Sequence, residues 1–196
     1  MLLDSRIKKI VHIHYRYYGF YGDLMINMEP MSATGIFTVT RELEVYQIII
    51  FEYFDDKRIY FSLIENLEEY ERELERLAQV MQVFLDEEEV VINDERVRPK
   101  VVGVDIGFKD IPEEPFITYF IFFKGKPRKG TNYYENIYEG ELAEYPITAY
   151  WYFPPQSRVL NVEASGDVSI IGNNIVVMRL TEGDRVSGYE KIVFEL

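Results

Sequence analysis

Short apolar segments separated by turn-forming residues are the feature that most restricts what this chain can fold into. From residue 89 onward, β-branched and aromatic runs such as ITAYWYF, DVSII and IVVMRL recur at short intervals. The residues between them are PP, SGD, GNN and EGD, which favour turns because Gly, Asn and Asp tolerate positive φ and Pro fixes the backbone. Strands at this spacing are typical of a β-sandwich. We therefore predict an immunoglobulin-like β-sandwich for the C-terminal half.

One segment has helical rather than strand periodicity. In NLEEYERELERLAQVMQVFLDEEE, apolar residues recur every three or four positions and form one stripe. Asn66 precedes the stripe as an N-cap, and acidic residues in the first turn suit the helix dipole. The spacing predicts one long amphipathic helix at about residues 66–87. Its stripe contains Leu67, Tyr70, Leu74, Leu77, Met81 and Phe84.

These elements predict an α+β protein that is mostly antiparallel β. The N-terminal part is expected to be a sheet covered by the long helix, and the acidic, proline-containing connector KDIPEEP marks a boundary. We therefore predict an α+β domain at residues 1–110 and a β-sandwich domain at 111–196. The C-terminal half resembles immunoglobulin-like sandwiches in architecture alone, because no motif accompanies the likeness.

Two further expectations concern individual strands. The run FITYFIFF at 116–123 lacks alternation between apolar and polar residues, which predicts a strand buried on both faces. The runs EVYQIIIFEYF and RIYFSLI flank DDK, which predicts a hairpin around residues 55–57.

Charge and cysteine content exclude several classes of function. The chain has 21 Lys and Arg against 34 Asp and Glu, a net charge of −13, so general nucleic-acid binding and docking on anionic membranes are disfavoured. It has no cysteine, which excludes disulfides, thiolate nucleophiles and zinc ribbons. The N-terminus lacks the apolar core of a signal peptide, and no apolar run is long enough to span a membrane. We therefore expect a cytoplasmic protein.

Both histidines of the chain lie in VHIHYRYYGFYGD, at positions 12 and 14. On a strand, His12 and His14 project from the same face, a spacing that metal sites can use. A catalytic divalent site needs three or four ligands, however, and the sequence has no third histidine. Arg16 continues the same face, and a cation opposes metal binding there. A solvated or half-covered sheet face is therefore the favoured interpretation, with a metal site at His12 and His14 as the alternative.

The densest basic cluster of the sequence lies in FKGKPRKGTNYYENIYEGELAEY at 123–145. It resembles a phosphate-binding loop in glycine spacing, but it lacks the lysine after the second glycine and a following helix. Guanidinium and ammonium groups beside aromatic rings can nevertheless hold an anion or a ring-bearing ligand. A solvated hairpin loop is the competing interpretation. The candidate ligand-binding residues are Lys124, Lys126, Arg128, Lys129, Tyr133, Tyr134 and Tyr138.

Motifs of known enzymes are absent from the sequence. It contains no G-x-S-x-G, no H-E-x-x-H and no G-x-G-x-x-G after a strand. Asp105 lies in an apolar strand, where a raised pKa could make it an acid or base, but alternation places it on the outer face.

We therefore predict a non-enzymatic binding or assembly module that uses a tyrosine-rich sheet face and the 124–145 loop. Its partner would be a protein or a second copy of the chain. The alternative is a small-molecule hydrolase, metal-assisted or not, that uses His12, His14 and carboxylates. The sequence identifies no cofactor.

Overall fold

The computed structural model describes residues 28–196. This range contains two helices, α1 (Ile59–Leu63) and α2 (Leu67–Glu87). Its strands in chain order are β1 (Glu29–Val39), β2 (Glu44–Phe54), β3 (Glu89–Ile92), β4 (Glu95–Val97), β5 (Lys100–Phe108), β6 (Pro115–Lys124), β7 (Thr131–Ile137), β8 (Glu141–Leu142), β9 (Ile147–Tyr152), β10 (Arg158–Glu163), β11 (Asp167–Ile171), β12 (Ile175–Leu180), β13 (Arg185–Val186) and β14 (Tyr189–Glu195).

Most strands belong to two large sheets. The seven-stranded sheet has the order β11-β12-β9-β1-β2-β6-β5, and the five-stranded sheet has the order β10-β14-β7-β3-β4. Neighbouring strands are antiparallel except β1 and β9, which pair in parallel with Ala33 opposite Ile147. The two short strands β8 and β13 form a separate pair.

The two large sheets pack against each other through aromatic side chains. Tyr134 of the five-stranded sheet lies with its ring centroid 4.5 Å from that of Trp151 in the seven-stranded sheet. Beyond the end of β9, Phe153 contacts Phe194 of β14, also at 4.5 Å. These contacts form a sandwich-like core, since stacked sheets interdigitate their inner side chains. The predicted class is confirmed in this form: the protein is mixed α and β, mostly antiparallel, and sandwich-like.

Helix α2 begins and ends where its sequence predicts. The Asn66 side chain accepts a hydrogen bond from the Glu69 amide at 3.4 Å, as an N-cap does. The Gln82 side chain bonds the backbone at the start of β5, donating at 3.1 Å to Pro99 O just before the strand and accepting at 3.0 Å from Val101 N within it. Helix α2 therefore lies along β5, the outermost strand of the seven-stranded sheet, and hydrogen-bonds backbone groups at this edge. Four of its side chains are buried in the core, namely Leu77, Met81, Phe84 and Leu85.

The predicted hairpin around residues 55–57 is wrong, because residues 59–63 form helix α1. The Asp55 carboxylate accepts a hydrogen bond from the Tyr60 amide at 3.0 Å, and Arg58 has a φ of 55° that turns the chain. Tyr60 is buried in the core. This side-chain capping and burial outweigh the β propensity of the sequence IYFSL.

The boundary expected near residue 110 falls in the turn between β5 and β6, which are hydrogen-bonded neighbours. The seven-stranded sheet contains β1, β2 and β5 from before that residue, and β6, β9, β11 and β12 from after it.

Neither helix of residues 28–196 has the length and apolarity needed to cross a membrane.

Candidate functional site

The predicted basic loop places most of its cations beside carboxylates. Lys129 is exposed. The other three basic side chains form ion pairs: Lys124 with Glu44 at 2.9 Å, Lys126 with Glu95 at 2.8 Å, and Arg128 with Asp94 at 2.6 Å. The hydrogen bond to Glu44 is the main reason that the pKa of Lys124 is raised. The positive charge available to an anion is therefore smaller than the sequence predicts.

A buried asparagine organises this loop. The Asn132 carboxamide oxygen accepts from Asn93 Nδ2 at 2.7 Å and from the Arg128 amide at 2.8 Å. Its nitrogen donates to the carbonyls of Arg128, at 3.1 Å, and Gly130, at 2.9 Å. Asn93 begins the two-residue turn between β3 and β4, in which it and Asp94 both have positive φ. The loop is thus tied to a hairpin turn almost 40 residues away in the chain.

We expect Asn132→Ala to lower the free energy of unfolding by about 3 kcal/mol, because four hydrogen bonds of roughly 0.5–1 kcal/mol each disappear and the buried Asn93 side chain loses a partner. Urea unfolding of the two proteins measures this difference. Asn161→Ala is the control, since the Asn161 side chain is exposed and donates to Glu163 Oε1 at 3.1 Å. An equal effect of both substitutions would contradict the structural role of Asn132.

The three predicted tyrosines of this region do not form one surface. Tyr133 is half-buried on the outer side of β7, where its hydroxyl donates to Asp94 Oδ1 at 2.5 Å and Lys191 Nζ lies 4.5 Å from its ring centroid. The neighbouring Tyr134 points into the core and donates to Glu190 at 3.1 Å. Tyr138 is half-buried against the core. The structure therefore brings Arg128 and Tyr133 together at Asp94 and separates Tyr134 from them.

The structure describes one of the two remaining candidate sites, Asp105, but not the histidine pair. His12 and His14 lie outside the described residues. Asp105 is exposed on β5, and the Tyr70 hydroxyl donates to it at 3.5 Å. Burial and the negative charge of Asp105 together raise the pKa of Tyr70. Within residues 28–196, no group of three or more His, Asp or Glu side chains is placed to hold a metal ion.

The outer face of the seven-stranded sheet, opposite the face that packs on the five-stranded sheet, is a broad apolar surface. Strand register sets its side chains in rows across the sheet, since directly paired residues share a face. We call this surface the aromatic face. One row runs Val177, Tyr150, Ile36, Ile48 and Phe120, and the next runs Ile175, Tyr152, Thr38, Tyr46 and Phe122.

Several rings of the aromatic face are open to solvent. The exposed fraction is 51% for Tyr46, 38% for Phe120 and 41% for Tyr152, whereas Val177 and Thr118 on the same face are buried. The inner face of β6 is buried along its whole length, whereas its outer face is exposed at Phe120, so the prediction that both of its faces are buried is wrong. The sequence did not reveal this, because both faces of β6 are apolar.

Aromatic packing keeps the outer rings in place. Tyr46 and Phe122 are cross-strand partners whose ring centroids lie 5.3 Å apart. The Phe116 ring covers Gly107 of β5 so closely that a Cβ at that glycine would lie 2.3 Å from a ring carbon. Glycine at an edge strand thus makes room for a ring from the neighbouring strand.

A polar cluster lies on the inner face beneath α2. The Glu73 carboxylate accepts from Tyr60 at 2.7 Å and from Arg76 Nε at 2.7 Å. Burial raises the pKa of Tyr60, Tyr53 and Tyr119, and the charge of Glu73 adds to this effect at Tyr60. Although burial lowers the pKa of Arg76, its hydrogen bonds to Glu73 raise it overall. These phenols stay protonated at neutral pH, so the cluster is a charged link between α1 and α2 rather than a set of nucleophiles.

Residues 28–196 form an α+β fold with two large sheets, and the seven-stranded sheet has an apolar outer face. No protein-family model matches the chain, and no curated protein is significantly similar to it in sequence. Among solved structures, the folded domain of LppM from Mycobacterium tuberculosis is similar with a TM-score of 0.45 and 10% identity, over 90% of this chain and 95% of that one. A protein from Parabacteroides distasonis, provisionally described as a protease, has a TM-score of 0.32 and 7% identity, over 86% of this chain and 40% of that one.

Proposed function

We propose that this protein is a non-enzymatic binding or assembly module and that the aromatic face is its binding surface. The supporting observation is the unbroken apolar width of that face, which crosses β12, β9, β1, β2 and β6 in register. Among residues 28–196, both helices and the five-stranded sheet contribute their buried side chains to the opposite face. Contiguous apolar surface of this kind is rare on a monomer and is typical of an interaction site.

The composition of the aromatic face fits a protein partner. Its centre combines tyrosine, phenylalanine and isoleucine, and aromatic residues are enriched in the cores of protein interfaces. Charged residues lie toward the edges of the same face, where Arg179 and Asp105 occupy positions on β12 and β5. A polar edge around an apolar centre is the usual anatomy of an interface. The partner is therefore an apolar protein surface, from another protein or from a second copy of this chain.

Replacing two exposed rings tests this proposal. We expect Tyr46→Ser with Phe120→Ser to weaken self-association at least tenfold in sedimentation equilibrium and to reduce the fluorescence of an apolar dye bound to the protein. The reason is that each ring loses about 2 kcal/mol of apolar burial at the interface. Leu160→Ser is the control, because Leu160 is also exposed but lies on β10 of the other sheet.

The outcomes separate the two kinds of partner. Self-association of the native chain that the double variant weakens identifies a second copy. A monomeric chain that binds the dye through the aromatic face retains the proposal with a different protein partner. A monomeric chain that binds no dye, or a Leu160→Ser variant that weakens association as much, would contradict it.

Other parts of the sequence interpretation remain proposals. We infer that α2 acts as a cover for the N-terminal strands, which the burial of Leu77 and Met81 supports. An immunoglobulin-like arrangement of residues 111–196 is supported by the division of its strands between both large sheets. No observation in residues 28–196 favours a hydrolase that uses His12 and His14. A cytoplasmic location rests on the sequence alone.

A further inference from the structure

The strand β11 is an outermost strand of the seven-stranded sheet. Within residues 28–196, its neighbour in that sheet is β12, on one side. The two strands pair in unbroken register from Asp167 to Ile171. Alternate residues of β11 therefore direct their amide and carbonyl groups away from the sheet. An edge of this kind is a template for a further strand.

The other edges of the two large sheets are protected. Helix α2 lies along β5, where its Gln82 side chain bonds Pro99 O and Val101 N. In the five-stranded sheet, β4 has three residues, and β10 has a register shift between Val159 and Asn161. Covering helices, short strands and bulges are usual ways in which proteins prevent edge pairing. Neither helix of residues 28–196 packs along β11, and its sequence DVSII contains no lysine or proline.

Two consecutive isoleucines are exposed on β11. The exposed fraction is 45% for Ile170 and 53% for Ile171. Successive side chains of a strand point to opposite faces, so these two lie on either side of the open backbone edge. Ile171 continues the row of Ile175 and Tyr152 and extends the aromatic face to the end of the sheet. A strand added beside β11 therefore covers apolar side chains on both faces.

The sequence of β11 is complementary to itself. When two copies pair antiparallel about Ser169, Val168 of each copy lies opposite Ile170 of the other. The charged residue of the strand, Asp167, then lies opposite Ile171, and the two Asp167 residues are about 13 Å apart along the strands. Like charges are therefore not opposed, although the chain as a whole carries −13. Opposite residues also share a face in this register, so the aromatic faces of both copies lie on the same side.

We propose that two copies of this chain pair antiparallel through β11, about a two-fold axis at Ser169, and join their seven-stranded sheets into one. Two-fold pairing uses the same edge of both copies and therefore stops at a dimer. Because each copy contributes a strand of five residues, the interface is small and the dimer is weak. The pairing uses backbone groups of a sheet edge, whereas the proposed function uses side chains of the aromatic face, so the two proposals can fail separately.

A single introduced cysteine tests the pairing and its register, because the chain has no cysteine of its own. Directly opposed residues of an antiparallel pair have Cβ atoms about 5 Å apart, close to the separation that a disulfide spans. We expect Ser169→Cys to form a disulfide-linked dimer under mild oxidation, measured on non-reducing gels. Ile171→Cys is the matched control. Its two thiols are about 13 Å apart along the paired strands, so we expect cross-linking at least tenfold slower.

The relative exposure of the two positions makes this control strict. Ser169 is half-buried, whereas Ile171 is exposed, so random collisions would cross-link Ile171→Cys faster. Equal rates for the two variants, or faster cross-linking at residue 171, would overturn the proposal. No cross-linking of either variant would also overturn it, and β11 would then be open to an extended segment of a different protein.

Sedimentation equilibrium of Ile170→Lys gives a second measurement that needs no cross-link. Lysine on an edge strand opposes pairing, and the two-fold axis brings two of them into one interface. We expect self-association at least tenfold weaker than in the native chain. Leu160→Lys is the control, because it makes the same change of charge at a residue 42% exposed on the edge strand β10. Equal effects of the two substitutions would contradict pairing through β11.

Combined variants separate this proposal from the proposed function. We expect Tyr46→Ser with Phe120→Ser, introduced together with Ser169→Cys, to change the rate of cross-linking less than twofold. A tenfold loss would overturn pairing through β11 as a contact of its own. Cross-linking by a chain that binds no apolar dye would support the β11 pair and contradict the aromatic face as a binding surface. Dye binding without cross-linking would have the opposite meaning.

Discussion

We expect Trp151→Ala to lower the free energy of unfolding by about 4 kcal/mol, as is usual when a large buried aromatic side chain is truncated. Trp151 is 1% exposed and stacks on Phe37 at 4.1 Å between ring centroids. It also contacts Tyr134 across the sandwich, so its loss removes packing within one sheet and between the two sheets. Urea unfolding followed by circular dichroism measures the change.

The adjacent residue is the control for this prediction. Tyr152 follows Trp151 on β9, points to the aromatic face and is 41% exposed. We expect Tyr152→Ala to change the free energy of unfolding by less than about 1 kcal/mol, because an exposed ring loses little burial. Similar losses from both substitutions would show that Trp151 is not central to the packing of the two sheets.

Arg76→Leu is expected to lower the free energy of unfolding by about 3 kcal/mol. Its partner Glu73 has a side chain only 15% exposed, and Arg76 itself is 19% exposed. Removing the cation leaves a carboxylate in a poorly solvated place, which costs more than the ion pair itself contributes. The double variant Glu73→Leu with Arg76→Leu should recover most of the loss, since a buried ion pair can be replaced by apolar packing.

Arg72→Leu is the control on the same helix. Arg72 pairs with Glu68 at 2.9 Å, but the two side chains are 64% and 85% exposed. Exposed ion pairs contribute about 0.5 kcal/mol or less, so this substitution should be nearly neutral. If Arg72→Leu and Arg76→Leu destabilised the protein equally, burial would not be the reason for the effect at Arg76.

Local patterns predicted the elements that local interactions determine. The cap at Asn66 and the apolar stripe after it are contained in the helix itself, and α2 follows them. The turn residues GNN, which the sequence places between DVSII and IVVMRL, form the turn that joins β11 to β12, where Gly172 has a φ of 59°. Short-range turn and cap chemistry needs no knowledge of the rest of the chain.

Features that depend on distant residues were not predictable. Lys126 and Arg128 look available to an anion in the sequence, but their carboxylate partners Glu95 and Asp94 come from another hairpin. The run IYFSL has β propensity, yet a carboxylate at Asp55 and a buried site for Tyr60 make it helical. Periodicity alone could not assign the faces of β6, because apolar residues occupy both.

The parallel pair of β1 and β9 also affects how the protein is made. Ala33 lies beside Ile147, so the middle of the large sheet joins segments more than 100 residues apart. During synthesis on the ribosome, β1 and β2 emerge well before β9. The edge of β1 that pairs with β9 therefore has no partner strand during that interval. Contacts between distant segments slow folding, and unpaired strand edges promote aggregation. We therefore expect the nascent chain to engage chaperones until its last third has been synthesised.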